Sequence, residues 1–330
     1  MDELTLVRSM RSETRIPEES FERGRASLAG VMAAEAAPEM RRPRHRRRWG
    51  FGVAAAATLA IGAVVASGIG WGGHPQAASA APLLRQAAAA VQHDSDPIVG
   101  PGQYLEIIGD WYAAGTVADS GGRVITAMST YTRTLYVPAD RSGVWVYQGS
   151  ADTPVKYLGD AKANWKPEYN GKAWTETGPG GRFSGGSMLD LELADVPANS
   201  TAALAYLRKK FPGEAGGLST DEMVWQEVTG ALVTGLVPAA VRSTLYGALA
   251  ELPGVTVADK SATIAGRTGT AITLADPNAD QDDQLVIDPA TGLLIGEQWI
   301  QVKAAPTFPA GSVAESVAIT TRVTDRAPAQ

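Results

Sequence analysis

The sequence predicts an α+β protein in which one transmembrane helix precedes an extracytoplasmic domain with an antiparallel sheet and helices on one face. Three observations predict this fold class. An uncharged run extends from Trp49 to Trp71, short amphipathic helical patterns occupy the middle of the chain, and strand patterns joined by short turns follow them. Sequential strands with tight connections favour an antiparallel meander, and short amphipathic helices need a sheet to pack on.

The run from Trp49 to Trp71 has the length and composition of a membrane anchor. As a helix it would reach roughly 34 Å, which exceeds the hydrocarbon core of about 30 Å. A tryptophan at each end suits the headgroup region. Arg46, Arg47 and Arg48 precede the run, and the next basic side chain comes far beyond its end. This asymmetry predicts a single-pass plasma-membrane protein with a cytoplasmic N-terminus.

Two features of the anchor leave alternatives open. Residues 78–80 read Ala-Ser-Ala, which resembles a signal cleavage site, so cleavage after Ala80 is an alternative to an uncleaved anchor. Within the run, Gly62, Ala66 and Gly70 repeat at four-residue spacing, the small-residue pattern that lets two helices approach closely. This pattern predicts a homodimer through the anchor as one interpretation.

Residues 1–48 form a basic segment on the predicted inner side. They carry 11 arginines against 8 acidic residues, whereas the rest of the chain carries 18 basic and 27 acidic residues. The segment is either a mostly disordered tail or a pair of helices that docks on a cytoplasmic partner, since Pro17 and the acidic residues after it suit a helix start. The acidic outer part argues against a nucleic-acid partner.

Residue types in the outer part exclude several chemistries. The chain has no cysteine, which removes disulfides, thiolate nucleophiles and cysteine zinc sites. Its three histidines, His45, His74 and His93, all precede the main body of the outer domain, which argues against a Ser-His-Asp triad. We therefore expect that the protein is not an enzyme and that it binds no cofactor. Only several carboxylates converging in one cleft would favour catalysis.

The outer domain begins after a spacer at residues 72–80 and extends over residues 81–330. The alanine-rich segment Ala81–Gln92 predicts a helix with Leu84 and Val91 on its apolar side. β-Branched and aromatic residues then predict strands and a hairpin, at residues 104–108, 124–128, 130–137 and 144–147.

Residues 149–187 lose this periodicity and predict a long mobile loop. The loop is rich in aromatic residues, namely Tyr157, Trp165, Tyr169 and Trp174. Aromatic side chains of residues 104–174 either build a core or line an apolar groove, and the sequence leaves both readings open.

Three short amphipathic helices follow the loop. Asn199 suits the N-cap of the first helix. Ser219 and Glu222 have the spacing of a capping box at the start of the second helix. Pro238 suits the first position of the third helix, which Pro253 ends.

Five strand patterns complete the chain. A tight turn with Gly292 joins the third and fourth of them, because glycine accepts a positive φ. Short connections predict an antiparallel meander covered by the helices on one face. The strands are predicted at residues 255–257, 268–274, 284–288, 293–302 and 313–323.

One acidic segment is a weak calcium candidate. Asp276, Asn278 and Asp280 stand at positions 1, 3 and 5 of an EF-hand-like loop. Gln281 and Ile287 occupy the positions where the motif requires glycine and a bidentate glutamate. The alternative is a solvated acidic hairpin loop.

Several segments of the chain together carry a family resemblance. They are residues 1–4, 17–28, the arginine cluster with its anchor, 102–105, 238–249, 252–255 and 287–294. These segments resemble an uncharacterised actinobacterial family of single-pass membrane proteins, often encoded beside extracytoplasmic-function sigma factors. The resemblance covers nearly the whole chain and implies a regulatory role. The outer domain is also similar in architecture to the curved half-barrels of lipoprotein carriers and sigma-E regulators, which implies a concave apolar sheet.

Two functions remain as hypotheses. The first is a regulatory or envelope-sensing protein whose tail contacts a cytoplasmic partner such as a sigma factor. The second is a membrane-tethered binder of lipid or another apolar ligand, which predicts a concave apolar cavity in the outer domain. A solid core between sheet and helices would count against the second hypothesis.

Overall fold

The computed structural model describes residues 78–92, 96–118, 124–158, 172–189, 191–213, 217–276, 279–305 and 308–326. These residues belong to one compact unit, Leu59–Gln330. None of the helices in these ranges is both long enough and apolar enough to cross a membrane. The tail at residues 1–48 and the anchor predictions lie outside the described residues, namely Arg46, Arg47, Arg48, Trp49, Gly62, Ala66, Gly70 and Trp71.

Four α-helices occur in the described residues, and capping residues mark where three of them begin. The side chain of Asn199 accepts a hydrogen bond from the amide of Ala202. Ser219 and Glu222 form the predicted capping box, with distances of 3.3 and 2.6 Å. The sequence predicts Pro238 as the first residue of the last helix. In the structure Pro238 is instead the N-cap, and the helix begins at Ala239. The helices are α1 (Ala81–Gln92), α2 (Ser200–Lys210), α3 (Thr220–Val233) and α4 (Ala239–Leu249).

Ten strands form one antiparallel sheet, and two short strands form a separate hairpin. The predicted α+β class with an antiparallel sheet is confirmed. The strands of the large sheet are β1 (Tyr104–Ala118), β2 (Val124–Pro138), β3 (Val144–Gly149), β4 (Thr153–Leu158), β5 (Trp174–Pro179), β8 (Val255–Ile264), β9 (Arg267–Leu274), β10 (Gln281–Asp288), β11 (Leu293–Gln301) and β12 (Val313–Thr324), and the hairpin consists of β6 (Arg182–Phe183) and β7 (Gly186–Ser187).

The strand order is β5-β3-β2-β1-β12-β11-β10-β9-β8, with β4 also paired to β2. Most neighbours are consecutive in the chain, as a meander predicts. Three pairs are exceptions, namely β3 with β5, β2 with β4, and β1 with β12. In the last of these, Tyr104 lies opposite Thr324. This pair joins the strands before the helical block to those after it. On its far face Glu106, which is buried, forms an ion pair with Arg322.

The loop prediction for residues 149–187 is wrong for the residues that the structure describes there. They contain β4, β5 and the short hairpin β6–β7, while Trp165 and Tyr169 lie outside the described residues. The segment pairs with distant partners: the ring of Trp174 covers Gly149, where a Cβ would lie 2.3 Å from the indole nitrogen. The stability of β4 and β5 comes from packing against other strands. The segment itself therefore shows no alternation of apolar and polar residues from which strands could be predicted.

The helices pack on one face of the sheet. Ile272, Leu285 and Ile287 are fully buried in the core that contains the apolar faces of all four helices. Their neighbours Ala271 and Val286 belong to a separate cluster with the end of β8. Because successive side chains of a strand point to opposite faces, the two clusters lie on the two faces of the sheet.

The chain enters this domain at its edge. The amide of Val257 donates to the carbonyl of Ala78 at 2.9 Å, and the amide of Ala80 donates to Val255 at 3.1 Å. Ala80 is fully buried. The last three residues of the predicted spacer therefore pair with β8, and α1 follows directly.

After α3 the chain descends to the other half of the sheet. Gly235 has a φ of 69°, and a Cβ at this position would lie 2.8 Å from Cγ2 of Ile107. Leu236 packs there with Ile107 and Val317 in a second core cluster. Glycine at this position allows the loop before α4 to approach β1 closely.

Candidate functional site

A cavity of about 530 Å³ lies between the helical layer and the sheet. Strands β1, β2, β11 and β12 form its floor, the loop from α3 to α4 forms its roof, and residues 96–99 form one side. Its volume falls within the range of about 300–1,000 Å³ that is typical of small-molecule sites. The apolar walls come mainly from Leu105, Val137, Leu232, Leu236, Leu294 and Ile319.

Three charged side chains line the same cavity: Asp96, Arg141 and Arg242. Both carboxylate oxygens of Asp96 accept from the amide of Ala239, at 3.0 and 2.8 Å. Asp96 thereby caps α4, whose N-cap Pro238 makes no side-chain cap of its own. The carboxylate is therefore fixed by the helix start, and the two guanidinium groups leave a net positive charge at the cavity.

Arg242 is the more deeply placed of the two arginines, with a side chain that is 18% exposed. Its Nη1 donates to the carbonyl of Val237 at 3.1 Å, and its Nη2 lies 3.8 Å from Asp96. Its Nε is buried without a hydrogen-bond partner, as is the hydroxyl of Tyr246 one turn along α4. Buried polar atoms without partners are rare in folded proteins. Arg242 therefore brings to the cavity wall a guanidinium whose hydrogen-bonding capacity is only partly used.

A second constellation lies at the opposite ends of β11 and β12. Register places Asp283, Trp299 and Glu315 side by side on three neighbouring strands. Glu297 stands two residues before Trp299 on the same face, and Nε1 of Trp225 on α3 donates to Asp283 at 3.1 Å. Three carboxyl groups therefore gather beneath the start of α3.

Burial dominates the electrostatics of this acidic cluster. It raises the pKa of Asp283, and it raises the pKa of Glu297 well above the ordinary value, with the charge of Asp283 adding to the effect. Burial also raises the pKa of Glu315, which Arg133 partly offsets. Oδ1 of Asp283 is buried without a donor. A proton held on Glu297 would supply that donor, because a protonated carboxyl donates one hydrogen bond.

The three acids lie outside the lining of the larger cavity. Neither the cavity described above nor a smaller one of about 390 Å³ beside Met188 includes any of the three acids. The expectation that the chain is not an enzyme stays a prediction.

The aromatic residues divide between the two readings that the sequence left open. Trp145 is buried at 7% exposure, whereas Tyr157 and Trp174 are 37% and 40% exposed. Trp111 and Tyr131 stack with ring centres 5.8 Å apart, and the guanidinium of Arg133 lies 5.3 and 5.0 Å from their centres. Trp174 also packs edge-on against Tyr147, with ring centres 4.9 Å apart, and no aromatic residue that the structure describes lines the larger cavity.

The weak calcium candidate gains no supporting geometry. The carboxylate of Asp280 lies 3.1 Å from Nζ of Lys303, which occupies it with an ion pair. Asn278 lies outside the described residues. Among the residues that the structure describes, no group of three or more acidic or histidine side chains is placed to hold a metal ion. Calcium binding by Asp276, Asn278 and Asp280 stays a prediction.

Sequence reasoning missed the residues that now define both constellations. One signal could have found two of them. Arg242 is the single charged residue of α4, and Glu297 is the single charged residue of β11. A lone charge in an apolar element is costly to bury unless it has a partner or a purpose. Such positions merit attention before a structure is known.

Comparison with protein-family models, with curated proteins and with solved structures finds no match to this chain. The geometry of the two constellations therefore carries the functional argument alone.

Proposed function

We propose that the outer domain binds an apolar ligand and that the chain holds this domain at the extracytoplasmic face of the plasma membrane. The observation that carries the proposal is the cavity of about 530 Å³ between the helical layer and the sheet. Half of its lining residues are leucine, isoleucine or valine. A ligand would therefore remove apolar surface from water there.

The distribution of packing supports the same proposal. The helices fill their interface with β9 and β10 solidly, around Ile272 and Leu285. The cavity lies over β1, β2 and β12. Gly235 lets the roof loop approach Ile107 of β1 closely at the border of this space. Shifts of register in β8 and β11 mark bulges, and bulges bend strands. We infer a curved, half-barrel-like sheet whose concave face holds the ligand.

Photolabelling of the full chain in lipid nanodiscs tests this function. The probe is a long-chain alcohol with a diazirine in its tail, and mass spectrometry locates the labelled peptides. We expect labelling of the peptides that contain Leu105, Val137 and Leu236. Labelling spread evenly over the chain would contradict the proposal.

A matched pair of variants sharpens the test. Val99 lines the cavity, while its neighbour Ile98 is 89% exposed and does not. Val99→Trp should fill the space and lower labelling of the cavity peptides, whereas Ile98→Trp should leave it unchanged. Equal labelling in both variants would place the probe elsewhere.

We also propose a regulatory role in which residues 1–48 contact a cytoplasmic protein such as a sigma factor. The basic segment beside the uncharged run favours this second function, because it would face the cytoplasm. Residues 1–48 should capture a sigma factor from lysate, and a scrambled segment of the same composition should not. Equal capture by both segments would contradict a specific contact with a sigma factor.

A further inference from the structure

We infer that the ligand of this cavity carries an anionic head group, a carboxylate or a phosphate monoester, which Arg242 and Arg141 bind. The inference rests on the proposed function, since it names the chemical class of ligand for the same cavity. Its starting point is the set of charges at the wall: two arginines and one aspartate.

The aspartate is already engaged. Both oxygens of Asp96 accept from the amide at the start of α4, and its distance of 3.8 Å from Nη2 of Arg242 is long for an ion pair. Asp96 therefore neutralises Arg242 only in part. A cationic head group would be repelled by the two arginines. Asp96 would attract it only weakly, because both of its carboxylate oxygens already accept a hydrogen bond.

Arg242 retains unused donors. A guanidinium has five N–H groups in a planar fork. One of them donates to Val237, while the buried Nε has no partner. An anion at the cavity wall would accept charge-assisted hydrogen bonds from the remaining N–H groups of the terminal nitrogens, and such bonds are stronger than neutral ones.

Arg141 adds a second positive charge from the other side of the opening. It lies in the turn between β2 and β3 and is exposed. Its backbone carbonyl accepts from Nε1 of Trp145 at 2.9 Å, which fixes the turn while leaving the side chain on the cavity wall. The apolar floor and the paired guanidinium groups together fit a molecule with an apolar body and an anionic end.

Four photolabelling probes with the same tail test the inference in the full chain in nanodiscs. They differ only in the head: an alcohol, a carboxylate, a phosphate monoester and an amine. We expect one or both anionic probes to label the cavity peptides roughly tenfold more than the alcohol at equal concentration, and the amine to label them least. Stronger labelling by the carboxylate probe would identify a fatty acid as the ligand class. Stronger labelling by the phosphate probe would identify a phosphate monoester.

Arginine variants locate the head group. Arg242→Gln should reduce the anionic preference to about that of the alcohol, because the donor fork and the charge are both lost. Arg141→Gln should reduce it in part, and it serves if Arg242→Gln does not fold, since Arg141 is exposed. Arg85→Gln, at an exposed arginine of α1 away from the cavity, is the control.

The outcomes separate the two proposals. If the alcohol labels the cavity and the anions label it no better, the anionic head is wrong while the apolar site stands. If no probe labels the cavity peptides, the proposed function fails. If the anionic preference persists unchanged in both Arg242→Gln and Arg141→Gln, the assignment of the head group to these arginines is overturned.

Discussion

At the scale of single residues, the most unusual feature is the neighbouring pair Asp283 and Glu297. Burial raises the pKa of both carboxyl groups. The charge of Asp283 raises the pKa of Glu297 further, whereas the hydrogen bond with Glu297 lowers the pKa of Asp283. A buried carboxylate without a donor costs about 1–3 kcal/mol, so ionising the pair weakens the folded state. The pair contributes stability only while it holds a proton.

The pH dependence of stability follows from the direction of these pKa shifts. Glu297 has a folded-state pKa above its unfolded value of about 4.3, so its contribution is fully present below that value and is lost as the pH rises through the raised pKa. We expect Glu297→Gln to increase the free energy of unfolding at pH 7 by about 1–3 kcal/mol, because a neutral amide can donate to Asp283. Urea unfolding across pH 4–8 measures it.

The exposed residue Glu192 provides the control for this experiment. Glu192→Gln should leave both the stability and its pH dependence unchanged. The free energy of unfolding of the wild type could instead rise from pH 5 to pH 8, and rise just as steeply in Glu297→Gln. That result would show that the pair is not protonated in the folded state.

Gly292 shows how one small residue fixes two elements together. It has a φ of 70° in the turn between β10 and β11, and a Cβ would lie 2.3 Å from Cγ2 of Val91 on α1. Gly292→Ala should therefore lower the free energy of unfolding by about 2–4 kcal/mol, through backbone strain and overpacking. Gly266 has a similar φ of 79° and open space around it, so Gly266→Ala should cost only about 1 kcal/mol. Equal losses in the two variants would contradict a contact with α1.

At the scale of elements, the helices were predictable because their starts are encoded locally. The capping box of Ser219 and Glu222 satisfies two backbone amides at the start of α3. Strands β4 and β5 were not predictable for the opposite reason. Their exposed side chains alternate poorly, and their stability comes from β2 and β3, which lie elsewhere in the chain.

The same capping box carries a prediction at the element scale. Ser219→Ala removes the acceptor for the amide of Glu222 and should lower the free energy of unfolding by about 1 kcal/mol. Ser184, exposed in the turn between β6 and β7, is the control, and Ser184→Ala should have little effect. Denaturant unfolding compares the two. A loss of the same size at both positions would argue against the cap.

At the scale of the whole molecule, the two halves of the sheet are joined by one pairing that no local pattern reveals. Strands β1 and β12 are each recognisable in the sequence, but about 200 residues separate them, and local periodicity does not name a partner. The cavity floor depends on this pairing, since Leu105 and Ile319 come from its two strands. The fold class was therefore predictable from the sequence, whereas the site was not.

Hydrogen exchange should reveal this architecture in the full chain. Strands β1 and β12 lie at the centre of the sheet and bond to neighbours on both sides, while β5 is at an edge. We expect the amides of β12 to exchange at least about tenfold more slowly than those of β5, as measured by mass spectrometry. Protection of β5 equal to that of β12 would contradict the strand order.

The path of the chain into the domain links its edge to its cavity. Residues 78–80 are clamped on β8, α1 follows and packs on α4, and residues 96–99 then form a cavity wall. Thermodynamic linkage is reciprocal: if the proposed ligand stabilises this wall together with the attachment of α1, then loosening that attachment weakens binding by the same factor. In that case a tension applied to the chain before Ala78 would oppose binding of the proposed ligand.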